Sequence, residues 1–167
     1  MMTKTLTIAQ VSFGSMTEWK DNYKSSLGQF LIACSQWEYV YELTWKDLNP
    51  DPSASFPEKM KKADSQIRNG GKNLLKALGK VGSKECIEIV KLIELLEGRF
   101  RSQRDLMVHG FHHFYEGNCL VSRFSTNKED IIGEELNPET LSDNSKQINK
   151  IVNEINVLRK KTFHRKP

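Results

Sequence analysis

The chain has 167 residues, of which 38% are hydrophobic and 28% charged, with a formal net charge of +4 at pH 7. This composition is typical of a globular protein long enough to bury a core without disulfides or metals. It argues against a membrane-spanning helix, because no apolar run approaches the roughly 18 residues that a span needs. Three scattered cysteines and a start without a signal-peptide pattern predict a reduced, cytoplasmic protein with no membrane partner.

Charge is distributed unevenly along the chain. Residues 57–80 hold seven Lys and Arg against two acids, and residues 146–167 hold seven against Glu154 alone. Residues 127–143 hold six acids against Lys128 and are predicted to form a loop. Basic stretches of this kind can follow a phosphate backbone, but they are also typical of solvated helix faces, and the sequence leaves both interpretations open.

A long first helix is predicted over residues 17–46, with Thr17 as its N-cap. Large apolar residues recur along it at spacings of three and four, which places them on one broad face. This stripe consists of Trp19, Tyr23, Leu27, Phe30, Leu31, Cys34, Trp37, Tyr41 and Trp45. Glu38 falls within the stripe and is expected to have a partner, because burial of an unpaired carboxylate is costly.

The prolines of residues 49–57 predict a loop after the first helix. A second helical segment is predicted from Pro57 onward, and the Asn-Gly-Gly sequence at 69–71 indicates that this segment is kinked or split there. Ser83 is the expected cap of a third helix that runs to about Val108.

Directly after the third helix in the sequence, Gly110 is expected to end that helix. Residues 111–125 alternate in polarity around a Glu-Gly-Asn sequence, which predicts a β-hairpin of two short strands. Asn137 and Pro138 then form a cap and first-turn pair for a last helix.

The predicted fold is an all-α, up-and-down four-helix bundle with a small β-hairpin inserted before its last helix. We expect a single helical domain over residues 1–167. Its ends, residues 1–16 and 160–167, are expected to be poorly ordered.

Arg104 lies on the apolar face of the third helix, four residues after Phe100 and three before Met107. The first and third helices therefore each carry one charge on the buried side, and the two charges are opposite in sign. This pattern predicts that Glu38 and Arg104 are in contact, with Arg101 as the rival partner.

The stretch Arg104-Asp105-x-x-x-His109-Gly110 closes the third helix. It resembles the signature of the HEPN superfamily (higher eukaryotes and prokaryotes nucleotide-binding), in which four to six residues separate an Arg from a His and Asn, Asp or His usually follows the Arg directly. The position at the end of the third helix of a bundle is similar as well. Arg159 and His164 repeat the spacing, but Lys160 follows the Arg, so this second pair is treated as a coincidence.

The resemblance implies a metal-independent endoribonuclease that acts as a homodimer, with two motifs facing each other in one cleft. Family members serve as toxins, antiphage effectors or RNA-processing enzymes, and a partner protein such as an antitoxin is expected for some of them. RNA is the implied substrate, attacked by its own 2′-hydroxyl. No metal and no cofactor are expected.

The chemistry assigns a role to each residue of the motif. His109 can accept the 2′-hydroxyl proton or protonate the leaving oxygen, and Arg104 can bind the non-bridging phosphate oxygens. Asp105 can orient either of them, and Glu38 can support the guanidinium of Arg104. Further RNA contacts are expected from nearby basic side chains, namely Arg101, His112 and His113.

A purely structural interpretation of the same residues stays open. His109 can simply close the helix, where a cation suits the helix dipole, and Asp105 can pair with Arg101 one turn earlier. A metal site is disfavoured, because Gly110 disrupts the helical spacing of the histidines. The alternative function is a non-catalytic HEPN-like module that binds nucleic acid, a nucleotide or a partner protein.

The spacing of the motif poses a geometric difficulty for catalysis. On a continuous helix, residues 104 and 109 lie about 140° apart around the axis. Both can address one phosphate only if the helix ends or bends by about residue 108, or if a second subunit completes the site.

Overall fold

The computed structural model describes residues 18–51, 53, 55, 58, 71–115, 118–124 and 131–164. Within these ranges, four long helices (Glu18–Leu48, Lys72–Val81, Lys84–His109 and Pro138–Phe163, here α1 to α4) are described, and three strands (β1 to β3) lie between α3 and α4. The predicted fold class, an all-α helical bundle with an antiparallel hairpin before its last helix, is confirmed. No helix within the described ranges is long and apolar enough to cross a membrane.

Helix α1 spans Glu18–Leu48 and confirms the first predicted helix. Its apolar stripe provides the largest buried side chains of the protein, which are those of Tyr23, Phe30, Trp37 and Tyr41. Trp37 and Tyr41 meet edge to face, with ring centroids 6.0 Å apart. The predicted cap, Thr17, lies outside the described residues.

Helix α2 spans Lys72–Val81 and begins directly after Gly71, whose φ of 73° is left-handed. A Cβ at this position would also lie 3.2 Å from Cε2 of Tyr41. Both features favour glycine and explain why a new helix starts here, as the Asn-Gly-Gly sequence predicted. The predicted helical segment before Gly71 lies outside the described residues, apart from Glu58, which is helical.

Helix α3 spans Lys84–His109. Oγ of Ser83 accepts a hydrogen bond from the backbone N–H of Cys86 at 3.1 Å, which confirms the predicted cap. The apolar stripe is buried as expected, with Ile93 and Leu96 at 0% exposure in its middle.

The three strands form one antiparallel sheet in the order β1-β2-β3, with β1 at Phe111–Tyr115, β2 at Asn118–Phe124 and β3 at Ile131–Leu136. The predicted hairpin is confirmed as β1 and β2, and its turn at 116–117 lies outside the described residues. The loop prediction for residues 127–143 is wrong over β3. Edge strands tolerate charged side chains, so the acids of this segment do not prevent it from pairing with β2.

Helix α4 spans Pro138–Phe163. Oδ1 of Asn137 accepts the N–H of Thr140 at 2.7 Å, which confirms the predicted cap and first-turn pair. A poorly ordered end was expected from residue 160 onward, yet the helix continues to Phe163.

The chain divides into two compact units, Met1–Ile32 with Ser102–Lys146, and Ala33–Arg101 with Gln147–Pro167. The first unit, called the sheet unit below, contains the three strands and the end of α3. The second, called the helical unit, contains α2 and most of α4. The prediction of a single domain stays a prediction.

Candidate functional site

The end of α3, in the sheet unit, carries the Arg104 and Asp105 side chains of the motif. Nη1 of Arg104 donates to Oδ1 of Asp105 at 3.0 Å, and the two side chains are 21% and 32% exposed. Asp105 therefore pairs with its immediate neighbour in the sequence. The pair fixes a guanidinium at the helix end and leaves part of it accessible.

His109 is the last residue of α3 and its side chain is exposed. Among the described residues, His109 has no hydrogen-bond or ion-pair partner. The backbone N–H of Gly110 donates to the carbonyl oxygen of Leu106 at 2.8 Å, so the helical turn is complete through His109. Because the helix does not end earlier, the about 140° separation from Arg104 remains.

Close packing explains why residue 110 is a glycine. A Cβ there would overlap with the carbonyl oxygen of Leu106 and lie 2.6 Å from Cγ1 of Val121, and it would approach the carbonyl oxygen of Ser122 to 3.2 Å. Strand β2 thus passes directly against the end of α3, and only a residue without a side chain fits between them. The glycine of the motif is explained by this close approach.

His112, on β1, is held through both ring nitrogens. Its Nδ1 lies 3.2 Å from the Tyr23 hydroxyl, and its Nε2 lies 3.2 Å from the carbonyl oxygen of Met107. A carbonyl only accepts, so Nε2 carries a proton and donates to Met107, while Nδ1 lies within hydrogen-bond distance of the Tyr23 hydroxyl. An RNA contact by His112 would cost one of these hydrogen bonds, and this predicted contact stays a prediction.

Tyr23 and Cys119 line the interior of the sheet unit beside His112. Burial raises the pKa of the Tyr23 hydroxyl far above its ordinary value, and the neighbouring Cys119 adds to this effect. Burial likewise raises the pKa of the Cys119 thiol, although hydrogen bonds from Tyr23 and from the backbone of His113 oppose it. Both groups therefore stay protonated, and Cys119 is a core residue and not an activated nucleophile.

His113 is the neighbour of His112 and lies on the opposite face of β1. Its Nε2 is 3.1 Å from Oγ of Ser122 on the adjacent strand. The ring is half-buried, and its second nitrogen bonds to none of the described residues. A contact of His113 with RNA therefore stays a prediction that breaks no hydrogen bond seen among them.

Arg101, another predicted RNA contact, belongs to the helical unit. Its Nε and Nη2 donate to the two carboxylate oxygens of Glu97 at 2.9 and 2.7 Å, and its Cζ lies 4.9 Å from the centroid of the Trp37 ring. The guanidinium therefore covers the buried indole, and the RNA contact stays a prediction. The contact between Glu38 and Arg104 also stays a prediction.

Sequence reasoning missed an Arg-Asp-His cluster in the helical unit. The carboxylate of Asp47 accepts a hydrogen bond from Nη1 of Arg159 at 2.7 Å, and its other oxygen lies 3.1 Å from Nε2 of His164. The Arg159 and Asp47 side chains are 9% and 13% exposed, whereas that of His164 is 53% exposed. The arginine-histidine pair set aside as a coincidence is thus joined by one carboxylate.

A signal for this cluster was present in the sequence. Arg159 falls on the buried stripe of α4, four residues after Ile155, and Asp47 falls on that of α1, three after Thr44. Opposite charges on the buried faces of two helices predict an ion pair.

Among the described residues, no group of three or more His, Cys, Asp or Glu side chains is arranged to hold a metal ion. Comparison with protein-family models, with curated proteins and with solved structures gave no match to this chain.

Proposed function

We propose that the protein is a HEPN-like, metal-independent endoribonuclease whose site is formed by Arg104, Asp105 and His109. The observation that carries the proposal is the exposed imidazole of His109, which has no partner within the described ranges and lies at the helix end that also bears the Arg104–Asp105 pair. A partly exposed arginine and an exposed histidine are the groups that RNA transesterification requires.

Each step of the reaction has a residue of this chain to support it. His109 takes the proton of the 2′-hydroxyl as its oxygen attacks the adjacent phosphorus, or returns a proton to the leaving 5′-oxygen. Arg104 donates hydrogen bonds to the non-bridging oxygens, on which negative charge grows. Asp105 keeps the guanidinium in a fixed orientation. The products are a 2′,3′-cyclic phosphate and a free 5′-hydroxyl.

The proposal requires a homodimer. Because α3 is helical through His109, one copy presents Arg104 and His109 in directions about 140° apart. Two copies meeting at the ends of their α3 helices can place the arginine of one beside the histidine of the other. A role as a toxin or antiphage effector, with an antitoxin as partner, is the biological setting that the resemblance suggests.

A non-catalytic binding module is the second candidate, favoured by the Arg104–Asp105 pair itself. Asp105 already occupies one nitrogen of the guanidinium, and the Arg104 side chain is only 21% exposed. In a binding module this pair would close the end of α3, and neither residue would meet a reacting phosphate.

Cleavage of a mixed RNA pool in the presence of EDTA separates the two candidates. We expect wild type to release cyclic-phosphate ends and His109→Ala to lose about 100-fold or more in rate. Val108→Ala is the matched control, because Val108 is the exposed neighbour of His109 (45%) and has no proposed role. RNA binding without cleavage by wild type would establish the binding module instead.

Mixing two inactive variants tests the shared site. Arg104→Gln and His109→Ala each lack one group, but a dimer of one copy of each contains one complete site. We expect the mixture to recover about a quarter of wild-type activity, because half of the dimers are mixed and each has one of two sites. Two inactive variants that stay inactive when mixed would contradict a site shared in this way.

A further inference from the structure

Four lysines of the described residues form an ion pair with a carboxylate one helical turn away. The pairs are Lys24–Asp21, Lys46–Glu42, Lys91–Glu88 and Lys146–Asp143. Lys160 and Lys161, in the last turn of α4, are exposed and form no ion pair with any described residue. Their charges are therefore available to an external anion.

His164 extends the same surface by one turn. Its backbone N–H donates to the carbonyl oxygen of Lys160 at 3.1 Å, so the helical path continues past the end of α4. Side chains three and four residues apart are neighbours on a helix surface, which groups His164 with Lys160 and Lys161. These three residues are called the basic end of α4 below.

Asp47 fixes His164 without neutralising the basic end. Its carboxylate contacts Nε2 of the imidazole at 3.1 Å but is already paired with the buried Arg159 at 2.7 Å. Three cations, Arg159, Lys160 and Lys161, thus stand against one carboxylate, which gives a local charge of +2 before any contribution from His164. The second ring nitrogen, Nδ1, bonds to none of the described residues.

We propose that the basic end of α4 binds the phosphate backbone of single-stranded RNA. The inference rests on the proposed function, because it names the surface that holds the RNA substrate. Lysine ammonium groups contact phosphates as point charges, and in its doubly protonated form an imidazole held at Nε2–H by Asp47 also donates Nδ1–H to a phosphate oxygen. A membrane surface fits less well, since Val157 is the one exposed large apolar residue among the described residues of α4.

Helix α2 provides a matched control. Lys76 and Lys80 are also exposed, also unpaired among the described residues, and Lys80 also lies in the last turn of its helix. However, helix α2 contains no histidine, and its side chains form no ion pair with any described residue. A double substitution on α2 therefore removes the same charge as a double substitution on α4, but leaves the basic end of α4 unchanged.

The experiment measures binding of a fluorescent single-stranded RNA to the full chain carrying His109→Ala, which prevents cleavage from altering the ligand. We expect Lys160→Gln/Lys161→Gln to weaken binding roughly tenfold at low salt and to reduce the salt-dependence slope by about 1.4, as for two lost phosphate contacts. Lys76→Gln/Lys80→Gln is expected to weaken binding less than about twofold. Glutamine is a good helix former, so both variants should keep their helices, which circular dichroism checks.

Equal losses in the two double variants would show that only net charge matters and would overturn the proposal, as would no loss in the α4 variant. Binding to anionic lipid vesicles that depends on Lys160 and Lys161, without binding to RNA, would reassign the surface to membranes. Failure of the proposed function gives a different result. If wild type did not cleave RNA but the α4 double variant alone bound RNA more weakly, the endoribonuclease proposal would fail and the RNA-binding surface would be supported.

Discussion

Two stretches of this chain place a histidine five residues after an arginine, and the structure uses them differently. In the sheet unit, Arg104 pairs with its neighbour Asp105, while His109 is exposed and has no partner among the described residues. In the helical unit, Arg159 and His164 both reach Asp47, a residue more than a hundred positions away in the sequence.

The difference lies in what the carboxylate does. Asp47 comes from another helix, so its contacts with Arg159 and His164 join distant parts of the chain, and the pair with Arg159 is mostly buried. Asp105 is adjacent to Arg104 in sequence, so their contact closes no loop. The first arrangement joins two helices, whereas the second leaves Arg104 partly exposed and His109 exposed. The same spacing between an arginine and a histidine therefore does not determine what the two residues do.

The same substitution at the two carboxylates gives the largest expected contrast. Asp47→Asn leaves the buried charge of Arg159 uncompensated, and we expect it to lower the free energy of unfolding by about 3 kcal/mol or more. Asp105→Asn, in a partly exposed pair, should cost less than about 1 kcal/mol. Urea unfolding measures both. Equal costs would contradict the division into a structural and an accessible cluster.

The close approach at the end of α3 gives the next largest effect. Gly110→Ala places a Cβ against the Leu106 carbonyl oxygen and Val121, and we expect a loss of about 1–3 kcal/mol in unfolding free energy. Gly98→Ala is the matched control on the same helix, because a Cβ there meets nothing within 4 Å. This control should stabilise the protein by about 0.5–1 kcal/mol. If Gly110→Ala were neutral, β2 would not hold the helix end in the way described.

Alkaline pH tests the interiors of both units through one tyrosine in each. Burial raises the pKa of Tyr23 and of Tyr41 above the ordinary 10.0, and the Glu97 carboxylate adds to the effect at Tyr41. Just above pH 10 these two hydroxyls lose their protons in the unfolded chain but keep them in the folded protein. The free energy of unfolding is therefore at its full value below pH 10 and falls as the pH rises above it. We expect a loss of about 1.4 kcal/mol per pH unit for each tyrosine.

Urea unfolding from about pH 9 to about pH 11 measures this slope. Tyr23→Phe and Tyr41→Phe should each reduce it, whereas Tyr39→Phe should not, because Tyr39 is 56% exposed. A slope unchanged in both buried variants would contradict the burial of the two hydroxyls.

Much of the fold could be predicted from local patterns. The apolar stripes, the Ser83 and Asn137 caps and the stop at Gly110 each act within a few residues, so the sequence carries them directly. Strand β3 could not be predicted in this way, because its pairing partner, not its own composition, makes it a strand.

The candidate site likewise has features that follow from local sequence and features that depend on tertiary contacts. The sequence by itself determined that Arg104, Asp105 and His109 share the end of one helix, because helical periodicity and a terminating glycine are local properties. Only the tertiary structure decided that Gly110 is required by the approach of β2, that His112 bridges Tyr23 and Met107, and that Asp47 joins Arg159 to His164. These are contacts between residues far apart in sequence, and such contacts form only when packing brings separate elements together.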